Sequence, residues 1–365
     1  MWAVRRRVLP ISAVLLGAPI AAELLQAYLP LTGQVVRSLI AMVFLAPLYG
    51  GAALLIREVT VRTRQGWTCT LLLAAAFGIA MQGLVDLSMG GQENPDIPYW
   101  SSLRDPTVIP GLEVSAFPTL AWTTGHVMLS VGAPLALLHA LAPAHRGKPL
   151  LGRLGVPALL LAGAVVGLQV HIDGRRTFDY VPTFGQVAGV LAVIILLVVL
   201  ALSPLGRTTR NVRRSENAEP RSPDPRSPDP RSPDPRARTV PASLIVTAGA
   251  VAKMVIDLLP PTWLGVAFFV TILAALAFAL RWVSSTRAWG AREIGLLGVG
   301  VIIGAILIGV LAPLPAGVTI PAKVVQGVVL LGAAAGALIL VLYRTGRSGC
   351  PATGTFTRRA ARPVR

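Results

Sequence analysis

Six polar side chains lie inside long apolar stretches, where they could bind a solute or an ion. The candidate ligand-binding residues are Glu23, Gln82, Asp86, His126, Lys253 and Asp257. An ionisable group in the hydrocarbon of a membrane costs several kcal/mol unless it is paired or hydrated, which makes each a candidate for a functional site. Carboxylates can hold cations, and a histidine can exchange protons near neutral pH. Together they predict a polar site within the membrane.

The spacing of these residues predicts shared helical faces. Gln82 and Asp86 are four residues apart, and Glu23 is three residues from Gln26. Side chains three or four residues apart lie on the same face of an α-helix. We therefore expect each pair to point toward one site.

A structural interpretation remains open beside the functional one. Lys253 and Asp257 are also four residues apart, so they could neutralise each other as an ion pair within one helix. Glu23, Asp86 and His126 could form hydrogen bonds between packed helices without binding any ligand.

The elements that must position these residues are membrane-spanning helices. The chain has 365 residues, of which 54% are hydrophobic and only 13% charged, about half the charged fraction of a soluble domain. Runs of about 20 apolar residues match the ~30 Å hydrocarbon core of a bilayer. The sequence predicts an all-α, polytopic transmembrane bundle of about ten helices, at 8–29, 36–56, 68–90, 119–142, 154–171, 185–204, 242–258, 262–282, 294–312 and 319–343.

The distribution of basic residues predicts the orientation of the bundle. Lysine and arginine number 33, and 27 of them lie in alternate connections and at the two termini. Because basic residues accumulate on the cytoplasmic side, both termini are expected to be cytoplasmic in the cell membrane. Topology thus accounts for the net charge of +17 without a nucleic-acid partner. In this orientation all six candidates lie in the outer half of the membrane.

A proline-rich segment divides the chain. Three RSPDP units begin at Arg221, Arg226 and Arg231, and such a composition has no apolar surface to bury. The predicted parts are a six-helix part at 1–205, a disordered cytoplasmic linker at 206–241, a four-helix part at 242–343 and a basic cytoplasmic tail at 344–365.

The N-terminus has two interpretations. Arg5, Arg6 and Arg7 precede an apolar stretch with small residues from Ala18 to Ala22, a pattern that also occurs in cleaved secretory signals. The apolar run continues to Leu29, which favours retention as the first spanning helix.

Four stretches in helices 1 to 4 carry a resemblance. PIAAELLQAYLP, PLYGGAALLIREV, FGIAMQGLVDLSM and WTTGHVMLSVGAPLALLHALAP resemble an uncharacterised group of bacterial multi-pass membrane proteins and, more remotely, the CAAX-protease and bacteriocin-immunity family of intramembrane metalloproteases. Trp122 and His126 fit that family's aromatic-x-x-x-His motif, while MQGLVD at 81–86 stands where its paired glutamates are expected. The resemblance implies a membrane-embedded hydrolase with His126 as a metal ligand.

Three functions follow from these observations. The first is binding or transport of a small solute or cation through an outward-facing polar cavity, without catalysis. The second is a degenerate CAAX-protease-like intramembrane hydrolase, and the third is a non-catalytic assembly or immunity component. We favour the first, because one histidine and one aspartate do not make a metal site, which needs at least three ligands. The sequence leaves the cofactor, the solute and the oligomeric state open.

Overall fold

The computed structural model describes residues 2–95, 97–207, 240–286 and 289–346. These residues form an all-α bundle, as predicted. Most of the linker, for which we predict disorder, and most of the basic tail lie outside the described residues, at 208–239 and 347–365.

Twelve α-helices follow one another along the described chain. They are α1 (Trp2–Pro19), α2 (Val35–Arg62), α3 (Trp67–Ala80), α4 (Trp100–Arg104), α5 (Ala116–Gly125), α6 (Ala133–Leu141), α7 (Gly155–Thr177), α8 (Phe184–Leu202), α9 (Ala242–Asp257), α10 (Trp263–Thr286), α11 (Ala291–Leu311) and α12 (Ile320–Gly346). Three π-helical segments extend or join them: Ile20–Leu24 after α1, Met81–Val85 after α3, and His126–Gly132 between α5 and α6.

Nine helical segments of the described chain are long and apolar enough to cross a membrane. They match nine of the ten predicted spans. The seventh predicted span is α9, which has 16 residues and would extend about 24 Å at 1.5 Å per residue. It is therefore shorter than the ~30 Å hydrocarbon core.

Three helix boundaries differ from the prediction at functionally relevant places. The first spanning segment ends at Leu24 instead of residue 29, and the third ends at Val85 instead of residue 90. The second continues to Arg62 instead of ending at residue 56. Hydropathy misplaces these ends because the turn residues beyond Leu24 and Val85 are also largely apolar.

Glycines bring α9 against α11. A Cβ atom at Gly300 would lie 2.3 Å from the carbonyl oxygen of Val246, and one at Gly304 would lie 2.5 Å from that of Ala250. Small residues allow such close helix contact in membranes. By contrast, a Cβ at Gly332 on α12 would meet nothing within 4 Å, so this glycine makes no close helix contact within the described residues.

The helices on the two sides of the linker pack together. A Cβ atom added to Gly295 or Gly298 on α11 would lie 2.5 Å or 2.9 Å from the methyl groups of Ala140 and Ala136 on α6. The described helices therefore form one continuous bundle.

The long connection between α3 and α5 is ordered over most of its length. It contains α4, a 3-10 turn at Asp105–Thr107, and two short antiparallel strands, β1 (Val108–Ile109) and β2 (Val114–Ser115). Val108 pairs with Ser115 and Ile109 with Val114. This connection covers the end of the bundle at which the candidate site lies.

Candidate functional site

Each of the three π-helical segments carries a predicted site residue. Glu23 lies in the first, Gln82 in the second with Asp86 directly after it, and His126 begins the third. π-Helical turns are rare and occur frequently at functional sites. The third has a local cause, since Pro134 has no N–H to donate to Ser130, four residues earlier.

Glu23 is held by two tyrosines. The hydroxyl of Tyr28 donates to Oε2 of Glu23, and the hydroxyl of Tyr49 donates to Oε1. Tyr28 follows the first π-helical segment, whereas Tyr49 lies in the middle of α2 and is 5% exposed. Both carboxylate oxygens are therefore fixed by donors from two different elements.

His126 is joined to Glu23 through Tyr49. The imidazole stacks on the Tyr49 ring with centroids 5.8 Å apart, and the edge of Phe77 completes a three-ring cluster at 5.5 Å from His126. Nδ1 of His126 lies 2.9 Å from Oγ of Ser130. This arrangement fixes the orientation of the ring and connects α2, α3 and the third π-helical segment.

Asp86 lies within electrostatic range of Glu23 and of the two tyrosines that hold Glu23, and no hydrogen bond joins Asp86 to them among the described residues. Its Oδ1 accepts a hydrogen bond of 2.8 Å from the backbone N–H of Ser88. The next residue, Leu87, is buried with φ of 63°, an unusual conformation for a bulky residue. Strained backbone of this kind clusters at functional sites.

Within the part of the chain that the structure describes, no lysine or arginine forms an ion pair with Glu23 or Asp86. Both side chains are half-buried, as is His126. The two carboxyl groups therefore have no described cationic side chain to neutralise them, and the described side chains do not enclose them fully.

Gln82 adds a further oxygen acceptor. Its Nε2 donates to Oγ1 of Thr123 at 2.7 Å and to the carbonyl oxygen of Gly78 at 3.2 Å. Its Oε1 is buried without a hydrogen-bond donor. An unpaired buried acceptor of this kind costs about 1–3 kcal/mol, which a donor group from a bound solute would offset.

Lys253 and Asp257 form a separate cluster. Nζ of Lys253 lies 2.5 Å from Oδ2 of Asp257, which also accepts a hydrogen bond of 2.9 Å from Gln26. Lys253 is 2% exposed. This geometry supports the structural interpretation of the pair.

The predicted helical face shared by Glu23 and Gln26 is wrong. The chain leaves the helix at Leu24, so Gln26 lies in the following turn and bonds to Asp257. A Cβ atom on Gly309 would be 2.9 Å from the Cα atom of Gln26. The pair on α9 therefore anchors this turn rather than entering the site of Glu23.

An aromatic cluster joins the connection between α3 and α5 to the segment that carries His126. Trp100 of α4 stacks on Trp122 with centroids 5.4 Å apart, and its other neighbour is Phe178 at 5.3 Å. Trp122 lies one turn before His126 in the same segment. Burial raises the pKa of the neighbouring Tyr99 above its usual value.

The described residues contain no group of three or more His, Cys, Asp or Glu side chains that could hold a metal ion. The ligand set implied by the protease resemblance is therefore not assembled around His126. No family model, curated protein or solved structure matches the chain.

The sequence does not mark three of the site residues as functional: Tyr28, Tyr49 and Phe77. Each is apolar enough to pass as ordinary packing in a spanning segment, and no spacing rule connects them to Glu23 or His126. Of the three, Tyr49 in LYGG could have been identified as a polar contact, because its phenol lies in the middle of an apolar run. A buried tyrosine hydroxyl needs a hydrogen-bond partner.

Proposed function

We propose that the protein binds a small, positively charged solute at the site formed by Glu23, Asp86 and His126. The observation that carries this proposal is a Glu23 carboxylate held by two tyrosine hydroxyls, with Asp86 within electrostatic range and no ion pair from a described lysine or arginine to either carboxyl group. Two carboxylates at this range repel each other, and a bound cation offsets that repulsion.

The surrounding side chains define the chemistry of the solute. Tyr28 and Tyr49 orient the Glu23 carboxylate through their hydroxyl groups. The rings of Tyr49 and Phe77 supply aromatic surface, which attracts cations. Gln82 Oε1 is a neutral acceptor on the segment that leads to Asp86. This set suits a monovalent ion or a small ammonium compound.

We place the site on the extracytoplasmic side of the cell membrane, with both termini in the cytoplasm. This topology counts the short α9 as a tenth crossing, because its last residue, Asp257, bonds to Gln26 after the first span. Its support is the sequence asymmetry of basic residues, 27 of 33 on the opposite side. Four of these are Arg57, Arg62, Arg64 and Arg146, which lie near the far ends of α2 and α6.

This conformation suits binding rather than transport, because no open path leads from the site toward the cytoplasmic ends of the described helices. Beyond Tyr49 the helices pack around a core of buried apolar side chains, including Leu54, Leu73 and Leu135. Transport would require this core to open toward the cytoplasm, as alternating access demands.

Chemical modification from outside the cell tests the proposal. A membrane-impermeant quaternary-ammonium carbodiimide with glycinamide is applied to right-side-out vesicles, and modified carboxyl groups are located by mass spectrometry. We expect reaction at Glu23 and Asp86, and slower reaction at both when ammonium or tetramethylammonium chloride is present.

Two other carboxyl groups serve as controls. Glu93 is exposed in the outer connection and should react in every condition, whereas Glu58 is 2% exposed at the other end of α2 and should not. Glu23 and Asp86 behaving like Glu58 would contradict an outward-facing site. Reaction that neither cation slows would contradict cation binding.

A further inference from the structure

A cavity lies where α2 and α6 end and α3 begins. Its volume is about 420 Å³, within the range of small-molecule sites. The Glu23 carboxylate contacts Tyr49, eight residues before Arg57 on α2, so this cavity, the arginine pocket, is about 12 Å farther along that helix.

The lining of the arginine pocket is strongly basic. Its charged and titratable residues are Arg57, Arg64, Arg146, His139 and His145, and it has no carboxylate. Arg57 and Arg146 both interact electrostatically with His139. Arg57 also pairs with the buried Glu58 at 3.4 Å, outside the lining, so an anion in this pocket would meet chiefly Arg64 and Arg146, which form no ion pair among the described residues.

Two of the arginines are held in place by backbone carbonyl groups. Arg57 donates to the carbonyl oxygens of His145 and Lys148 at 2.6 Å and 3.0 Å. Arg146 donates to those of His139 and Ala140 at 2.6 Å and 3.1 Å. These contacts fix the cations before any ligand binds, which lowers the entropic cost of binding.

The first turn of α3 adds to the positive potential. Gly66 and Trp67 line the pocket, and α3 starts at Trp67 without a side-chain cap on its first N–H groups. The N-terminus of a helix carries partial positive charge and attracts anions.

The remaining wall of the arginine pocket is apolar. Leu135, Leu138 and the indole of Trp67 line it, and the Trp67 ring makes an edge contact with His139 at 5.9 Å. A free phosphate would leave this surface unused, whereas the glycerol and first acyl carbons of a lipid would cover it.

We propose that the arginine pocket binds the phosphate group of an anionic phospholipid. The pocket lies at the ends of three helices, and therefore at the depth of the lipid headgroups. Basic pockets between spanning helices suit such headgroups. This inference is independent of the cation site, because it uses none of the same residues.

Lipid titration by native mass spectrometry tests this inference on the purified full-length protein. Arg64 is the informative position, because it is exposed and lines the pocket. We expect phosphatidylglycerol to bind the parent protein and R64Q to weaken its Kd by roughly fivefold to tenfold, the effect of one lost charge-assisted contact. Phosphatidylcholine is the lipid control. Its Kd for the parent should be at least as high as the Kd of phosphatidylglycerol for R64Q.

R153Q is the matched control, since Arg153 is exposed on the same side but does not line the pocket. Its Kd should stay within about twofold of the parent. Equal lipid affinity of R64Q, R153Q and the parent would overturn the proposal. Displacement of the lipid by millimolar inorganic phosphate would also overturn it, since the pocket would then be a site for soluble phosphates. An unchanged melting midpoint confirms that R64Q is folded.

Discussion

Replacing Glu58 with alanine is expected to lower the free energy of unfolding by about 3–5 kcal/mol, the range for breaking a buried ion pair. Oε1 of Glu58 accepts hydrogen bonds from the backbone N–H groups of Leu150 and Leu151 at 2.6 Å and 3.1 Å. Oε2 accepts one of 3.0 Å from Nε of Arg62. E58A would leave these donors unpaired next to Arg57, and the connection after α6 would be held to α2 only by the bonds from Arg57 and Arg62 to its carbonyl groups.

The unfolding midpoint of the purified protein in detergent measures this effect. E58Q should lie between the parent and E58A, because an amide keeps one acceptor oxygen for the backbone groups. E93A removes an exposed carboxylate and should change stability by less than about 0.5 kcal/mol. If E58A were as stable as E93A, the connection would not depend on Glu58.

Replacing Asp257 with alanine is expected to have a comparable effect, about 3–5 kcal/mol, because it leaves the buried ammonium of Lys253 without its partner. K253M should be milder, since Asp257 would keep the hydrogen bond from Gln26 and is more exposed. The double variant K253M/D257L removes both charges and should recover most of the stability lost in D257A, as apolar replacements of buried pairs commonly do.

A double-mutant cycle on the unfolding midpoints measures the coupling between the two residues. A double variant as unstable as D257A would show that Asp257 acts through contacts other than Lys253.

Periodicity and charge were sufficient to predict the bundle and nine of its spanning helices. Apolar runs of membrane length are a property of the chain alone, and they locate helices without knowledge of tertiary contacts. Helix ends were less predictable. The predicted first span ran to residue 29, but the chain turns after Leu24, where Gln26 pairs with Asp257, 231 residues away. No local pattern specifies such a contact.

The candidate site was predictable only where its residues stand out in the local sequence. Glu23, Asp86 and His126 stand out because ionisable groups are rare in apolar runs. Tyr49 and Phe77 do not, since aromatic rings are ordinary core residues, and only the fold brings them to His126. The sequence also could not separate Lys253 and Asp257 from the site, because both clusters have the same residue types and similar predicted depths.

Cation-dependent thermal stability tests the central proposal most directly. The melting midpoints of the parent, E23Q, D86N and E93Q are measured in sodium, ammonium and tetramethylammonium chloride at equal ionic strength. We expect at least one of these cations to raise the free energy of unfolding of the parent and of E93Q, by about 2.7 kcal/mol at one hundred times its Kd. E23Q and D86N should lose this stabilisation. Equal responses of all four proteins to every salt would contradict a cation site at Glu23 and Asp86.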